Sequence, residues 1–472
     1  MYICINIFNT KKIKSLKSTV KFRSKVFIQK VSLIFCFLNV SFCCYSQNNN
    51  SVSSSDTSSS LTLRQCIEFA LKNQPNLQRA IINQDVTKAT NAINLSGWYP
   101  QVGVTANLTH YIQLPAALIN QNGNIIAGKS GLINTSIPGI GVTQNIFSPI
   151  LHYASKTAPL YVKQAEHITD SAKIELVSGV SKTFYGLLLT LQQINVLKED
   201  TIRLGQNVRD AYHQYIGGIV DETDYEEAEI TLNNSMAQLK QANENVNPQY
   251  AVLKQLMGFN SEKQFNISFD SAQMFKDINI DTTEKLQYEK RIEVKQLANT
   301  QELQHKLTDY YHHAAFPTVS AFYNYNHEFA NNELSQIFSY SYPYSFIGLS
   351  LSVPVFNGYS RVQSLHRSQL QEKELGWSLI DLKSQIYSEY KAALGNYKSN
   401  LYNLQIQQDN QALAKRVYFV VTLQYKQGIV AYLNVITAES NLITAEIGYL
   451  NALFQVLSSK IDLEKAMGNI SY

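Results

Sequence analysis

Past Cys66 the sequence has no cysteine, and past Pro354 it has no proline. Four of its five cysteines, Cys4, Cys36, Cys43 and Cys44, fall within the first 46 residues. The remainder holds one thiol, which excludes an internal disulfide framework and a cysteine-based metal site. Histidine is scarce too, at nine residues. The His312-His313 pair lies just before Pro317, and His327-Glu328 lacks the second histidine four residues on that a zinc-protease helix needs. Gly139-Ile140-Gly141 opens no phosphate-binding pattern. No catalytic constellation emerges, so an enzyme is not expected, and neither is a metal or other cofactor. Beyond the first 46 residues no stretch reads as a membrane-spanning helix, which needs about 20 apolar residues. If the chain crosses a membrane, it must do so with strands.

Acidic residues are missing from the start of the chain. Lys11, Lys12, Lys14, Lys17, Lys21, Arg23, Lys25 and Lys30 precede an apolar run over 31–40, then a short polar exit at Cys44-Tyr45-Ser46. Basic, apolar, then small residues before a cut is the order of a secretory signal, so residues 1–46 are read as a signal peptide. Acylation of Cys43 or Cys44 is the weaker alternative, because Phe42 and Cys43 suit the preceding position poorly. Without those eight basic residues the chain's net charge of +4 becomes −4. The basic balance is therefore no argument for nucleic-acid binding.

The rest is one unit written twice. Gln214-Tyr215-Ile216-Gly217-Gly218-Ile219-Val220 matches Gln424-Tyr425-Lys426-Gln427-Gly428-Ile429-Val430, and Ala228, Glu229, Leu232, Ala242 and Met257-Gly258 find counterparts 210 residues on. Pro100 and His110 pair with Pro317 and His327 at a slightly larger offset. The expected division is a polar segment over 47–60, a first repeat over 61–259, a linker over 260–283, a second repeat over 284–469 and a short tail over 470–472. Each repeat reads as helix, strand, loop, strand and a very long helical hairpin.

Val102, Val104, Ala106 and Leu108 alternate with Gly103, Thr105, Asn107 and Thr109. Leu349, Leu351, Val353 and Val355 alternate likewise with Ser350, Ser352 and Pro354. That period of two fits a barrel strand with lipid on one side and water on the other, and equally a half-buried soluble strand. The segments 111–138 and 329–345 read as polar, tyrosine-rich loops. In the helices, Val177, Val180, Phe184, Leu187, Leu191 and Ile194 form a heptad seam. The last helix carries two, one through Leu433, Ile436, Ser440 and Ile443 and a second through Val435, Ala438, Leu442 and Ala445. Two seams imply a neighbour on each side, as in a ring of helices. From Phe356 to Gly428 nothing forces a break, and about 70 residues at 1.5 Å each reach roughly 100 Å.

These features together resemble the TolC-like outer-membrane factors. The opening helix from Leu61 to Leu77, Trp98-Tyr99-Pro100 before the first strand, Val353-Pro354-Val355-Phe356-Asn357-Gly358 after the fourth and the paired Tyr-x-x-Gly tips carry the resemblance, which covers about 61–469. Arg291-Ile292-Glu293 departs from it, since the family often has a proline after the arginine. The resemblance implies a mixed α and β membrane protein. A trimer would share a twelve-stranded transmembrane β-barrel, four strands per protomer, continued by an α-helical barrel through the periplasm. Strand counting reaches the oligomer independently: closed membrane barrels have at least eight strands, and open edges in lipid cost several kcal/mol per unsatisfied group.

The implied function is the outer-membrane channel of a tripartite efflux or type I secretion system. It would dock to a periplasmic adaptor through Gly218, Ile219, Val220, Gly428, Ile429 and Val430, and through that adaptor to an inner-membrane pump. A hydrogen bond between Asp224 and Tyr425 would restrain the closed gate. An arginine that often helps that lock corresponds to Val430. The family's acidic constriction falls on Asn434 and Thr437, while acids gather after the first tip at Asp221, Glu222, Asp224, Glu226, Glu227 and Glu229. That run is either a solvated face or a cation-attracting vestibule. A periplasmic coiled-coil adaptor or scaffold without a pore would explain the export signal and seams, but not two pairs of alternating strands.

Overall fold

A computed structural model describes residues 60–121, 124–268, 278, 280–281 and 283–472. The expected signal peptide, nearly all of the polar segment after it and part of the linker lie outside the described residues. The chain opens with strand β1 (Ser60–Leu61) and helix α1 (Leu63–Asn73). Thr62 and Gln65 form a reciprocal capping box at the start of α1. Gln74 ends α1 and starts α2 (Pro75–Leu95) by accepting the Leu77 amide at 2.6 Å, with Pro75 in the first helical position that suits its fixed φ. Strands β2 (Gln101–Thr105) and β3 (Leu108–His110) follow, then the hairpin β4 (Ala116–Gln121) and β5 (Asn124–Lys129), then β6 (Asn134–Ser136) and β7 (Gly139–Phe147). Helices α3 (Pro149–Ile216) and α4 (Glu222–Met257) form the first long hairpin. After β8 (Asn266–Ile267), which pairs in parallel with β1, the order recurs. It runs α5 (Ile292–His313), β9 (Thr318–Asn331), β10 (Ser341–Ser352), α6 (Ser360–Lys426) and α7 (Tyr432–Met467).

The strands make one antiparallel sheet in the order β2, β7, β9, β10, extended at one end by β3 and β6, with β6 also on β9. It therefore amounts to four long strands. Both connecting loops are shorter than the sequence reading allowed. β6 and the β4–β5 hairpin occupy much of 111–138, and β9 and β10 reach to Asn331 and back from Ser341. Backbone pairing accounts for the difference, because polar and tyrosine-rich residues still complete a ladder when the partner strand is long enough. At its other end β10 stops at Ser352, so Val353 and Val355 lie beyond the ladder.

Cross-strand register fixes two faces. Val102 lies opposite Val142, Val142 opposite Tyr323, and Tyr323 opposite Ile347. Val104, Ile140 and Tyr325 form the next row, and Leu349 and Leu351 continue the same face on β10. The opposite face carries Gly103, Gly141, Asn324 and Phe346 in one row and Thr105, Gly139, Asn326 and Tyr344 in another. One face is thus apolar and the other mixed, with glycine, amide and aromatic groups. Val104, Ile347, Leu349 and Leu351 are exposed in the isolated chain.

Four helices pack side by side in the order α4, α3, α7, α6. Val177, Val180, Phe184, Leu187 and Ile194 of the α3 seam are all buried. Val180, Phe184 and Leu187 pack with Cys66 of α1, Leu77 of α2 and Leu253 and Met257 of α4, and Ile194 packs with Ala242 of α4. Val435, Ala438, Leu442, Ala452 and Val456 of the second α7 seam are buried as well. One expectation needs correction: α3 holds an 18-residue window long and apolar enough to cross a membrane by composition. Half of that window is buried inside the protein. Its apolarity serves the core shared with α1 and α4.

Candidate functional site

The two hairpin tips are built alike, as the repeated sequence requires. In the first, Gly218 takes φ +68° and the Ile219 amide donates to the Gln214 carbonyl at 2.9 Å. In the second, Gly428 takes φ +72° and the Ile429 amide donates to Gln424 at 2.9 Å. Left-handed backbone at that position favours glycine, which is why each tip carries one. Both turns leave an isoleucine in solvent: Ile219 is 74% and Ile429 64% exposed. Each tip thus presents one exposed isoleucine at the same place in the repeat.

Behind the tips an aromatic and small-residue cluster joins the hairpins, with Ala211, Ala228, Tyr432 and Val435 buried and Tyr225, Tyr418 and Tyr425 against them. The Tyr425 ring lies 5.2 Å from that of Tyr432. Its hydroxyl donates to the Gln214 side-chain oxygen, so a side chain of one tip bonds a side chain of the other. Within the protomer the acceptor is Gln214 and not Asp224. Burial pushes the Tyr425 hydroxyl above the usual phenol range, and the nearby Asp224 charge adds to the rise. Asp224 sits in the first turn of α4, where Glu222 precedes it and Asp221 occupies the cap position. Negative charge there complements the helix dipole. Of the other acids after this tip, Asp221, Glu222, Glu226, Glu227 and Glu229 are exposed. Asn434 and Thr437 lie exposed on one face of α7, and the Thr437 hydroxyl donates back to the Leu433 carbonyl at 2.9 Å.

Sequence reasoning missed a charged cluster between the hairpins. Glu439 is 1% exposed and accepts from Arg203 Nε at 2.8 Å and from Asn207 Nδ2 at 2.8 Å. Arg203 also pairs with the fully buried Asp200 and lies 5.1 Å over the Tyr418 ring. Burial pushes the Asp200 carboxyl up to about 6, against the pull of Arg203, and raises that of Glu439 as well. The cluster ties α3 to α7 and α6. Its signal was Glu439 standing between seam residues Ala438 and Leu442, whereas its repeat partner Glu229 faces solvent.

Residues 66–259 match the family described as outer membrane efflux protein. No curated protein sequence matches the chain. Among solved structures, the CmeC outer membrane channel of Campylobacter jejuni is similar at TM-score 0.66 and 19% identity, over 86% of this chain and 85% of that one. The outer membrane protein VceC of Vibrio cholerae gives TM-score 0.67 and 14% identity, over 86% and 96%. The open-state MtrE outer membrane channel of Neisseria gonorrhoeae gives TM-score 0.66 and 15% identity, over 86% and 88%. At such identities these likenesses establish the fold alone. By that match over residues 66–259 and by its fold, the chain is similar to the outer membrane efflux proteins.

Proposed function

We propose that the chain is one protomer of a trimeric, passive conduit from periplasm to exterior, serving a tripartite efflux or type I secretion system. The observation that carries this reading is the four-stranded sheet with one apolar face and two outer edges, on β2 and β10, that find no partner among the described residues. An even strand count sets β10 of one protomer antiparallel to β2 of the next, so three copies close a twelve-stranded barrel. The apolar face then meets lipid and the mixed face lines the pore.

The helical layer supports the same closure. Nearer the sheet the layer runs α2, α3, α5, α6, with α2 and α6 its outer members, and α6 exposes Leu370, Trp377, Ile380 and Tyr387 at near-heptad spacing. The tips serve as gate and dock. Ile219 and Ile429, with Gly218, Val220, Gly428 and Val430, offer the surface for the periplasmic adaptor, through which the inner-membrane pump is engaged. The Tyr425–Gln214 bond holds the closed gate, with Asp224 beside it and the uncharged Asn434 and Thr437 at the constriction. A neutral bond of this kind contributes about 1 kcal/mol, less than the charge-assisted bond to Asp224 expected from the resemblance.

The test is reconstitution of the outer-membrane fraction into planar bilayers. Heat-modifiable trimers with a low resting conductance are expected, and Tyr425→Phe should raise that conductance. A soluble periplasmic monomer would sink the channel reading. An unchanged closed-state current in the variant would remove Tyr425 from the gate.

A further inference from the structure

A cavity of about 410 Å³ opens between α3 and α5 where the strands meet the long helices. Its lining has two characters. Phe147, Pro149 and Phe316 form the side nearest the sheet, and His152, Lys156, Lys306 and His313 face one another from the two helices. The spacing explains the convergence. On α3 the residues at 149, 152 and 156 share one helical face, and on α5 those at 306 and 313 do.

Register tells which side of the sheet this cavity serves. Phe147 pairs with Val319 across a β-bulge that follows Asn145. Val319 in turn lies opposite Leu351, on the apolar face. Paired residues point to the same side of a sheet. The bulge therefore turns Phe147 from the pore side, where the alternation of Thr143 and Asn145 points, to the outer side. The apolar end of the cavity is thus continuous with the surface assigned above to lipid.

Its other end is cationic. Among the described residues neither Lys156 nor Lys306 is paired with a carboxylate. The one acid in the lining, Asp309, lies 3.9 Å from His305 Nε2. The Asp309 carbonyl is engaged by His313 Nδ1 at 2.7 Å, and the His313 ring packs edge-on against Phe316 at 5.2 Å. Two unpaired ammonium groups, two imidazoles and the start of a long helix converge on one cleft. The helix dipole adds to the same sign.

We propose that this cavity binds the phosphate headgroup of an anionic phospholipid at the periplasmic border of the barrel, between Lys156 and Lys306. The acyl chains run from the cleft past Phe147 and Phe316 along the apolar strand face. A membrane lipid fits where a free phosphate does not, because the cationic cleft opens directly onto apolar surface. Tethered chains gain from that surface, whereas a soluble anion gains nothing there. The inference rests on the barrel reading of the preceding subsection.

The test uses the full chain, purified in detergent and examined by native mass spectrometry with added phosphatidylglycerol or phosphatidylcholine. The trimer should retain phosphatidylglycerol about tenfold better, a discrimination worth about 1.4 kcal/mol. Lys156→Gln/Lys306→Gln should lose that preference. Lys163→Gln/Lys295→Gln, which removes the same charge from the same two helices outside the cavity, should keep it. Equal retention of both lipids by the wild type, or equal effects of the two double variants, would overturn the site. Displacement by glycerol phosphate at lipid-equivalent concentration would show a free-phosphate site and overturn the lipid assignment. A wild type that yields no heat-modifiable trimer would count against the barrel itself, so the two failures are distinguishable.

Discussion

Two buried carboxyls above the tips, Asp200 and Glu439, make the protein's stability depend on pH. Both are held above the ordinary carboxylate range, first by burial, with Arg203 and, for Glu439, Asn207 opposing the rise. A raised carboxyl takes up its proton more readily in the folded than in the unfolded state. It therefore favours the fold in acid, and that contribution falls away as pH climbs from about 4 toward the raised value. For Asp200 the window closes at about 6. Asp200→Asn should flatten the fall in thermal midpoint between about pH 4 and pH 6, measured on detergent-purified protein. An unchanged slope would mean that Glu439 alone carries the dependence. The opposite error, losing Arg203, leaves two buried acids facing each other and is the more damaging change.

At the scale of elements, the repeat is most exacting where helices end. Gly258 and Gly468 close α4 and α7 in left-handed backbone, at φ +65° and +74°. A methyl group at Gly258 would stand 2.5 Å from the Asn73 carbonyl oxygen, where α1 ends. At the tip residue Gly218 a methyl group meets nothing within 4 Å. Gly258→Ala should therefore destabilise by the left-handed cost of about 1–2 kcal/mol plus the displacement of a backbone. Gly218→Ala should show the backbone cost alone. Paired melting curves decide it, and equal losses would mean that the α1 contact yields freely.

The glycine pairs, the seams and the alternating strands were legible in the sequence because each is a short-range pattern with a fixed period. Strand ends were not. The ladder between β9 and β10 runs past the expected loop boundary to Ser341 and Phe329, through Tyr342 and Tyr344, tyrosines that argued for a loop. The acceptor of Tyr425 was equally hidden. Gln214 and Asp224 lie ten residues apart across a turn, and only the packing of the tips selects between them. The Asp200–Arg203–Glu439 cluster joins residues more than 230 positions apart, and the acid within the α7 seam gave no sign of its partner.

For the whole molecule, closure has to be achieved twice, once in the sheet and once in the ring of helices. The strand edges of β2 and β10 supply backbone hydrogen bonds. The helical edges, α2 and α6 at the level of Trp377, have only side chains to offer. On α6, Trp377 and Ile380 are 71% and 60% exposed, and no partner within the protomer covers them. If this stretch of α6 packs on α2 of the next protomer, burying two such side chains contributes roughly 2–3 kcal/mol each at every interface. Trp377→Asp/Ile380→Asp should therefore shift the detergent-purified protein from trimer toward monomer, while far-UV circular dichroism stays at the wild-type helical content. A trimer undiminished in that variant would show that the β-barrel holds the assembly alone, and that this stretch of α6 faces solvent in the finished channel.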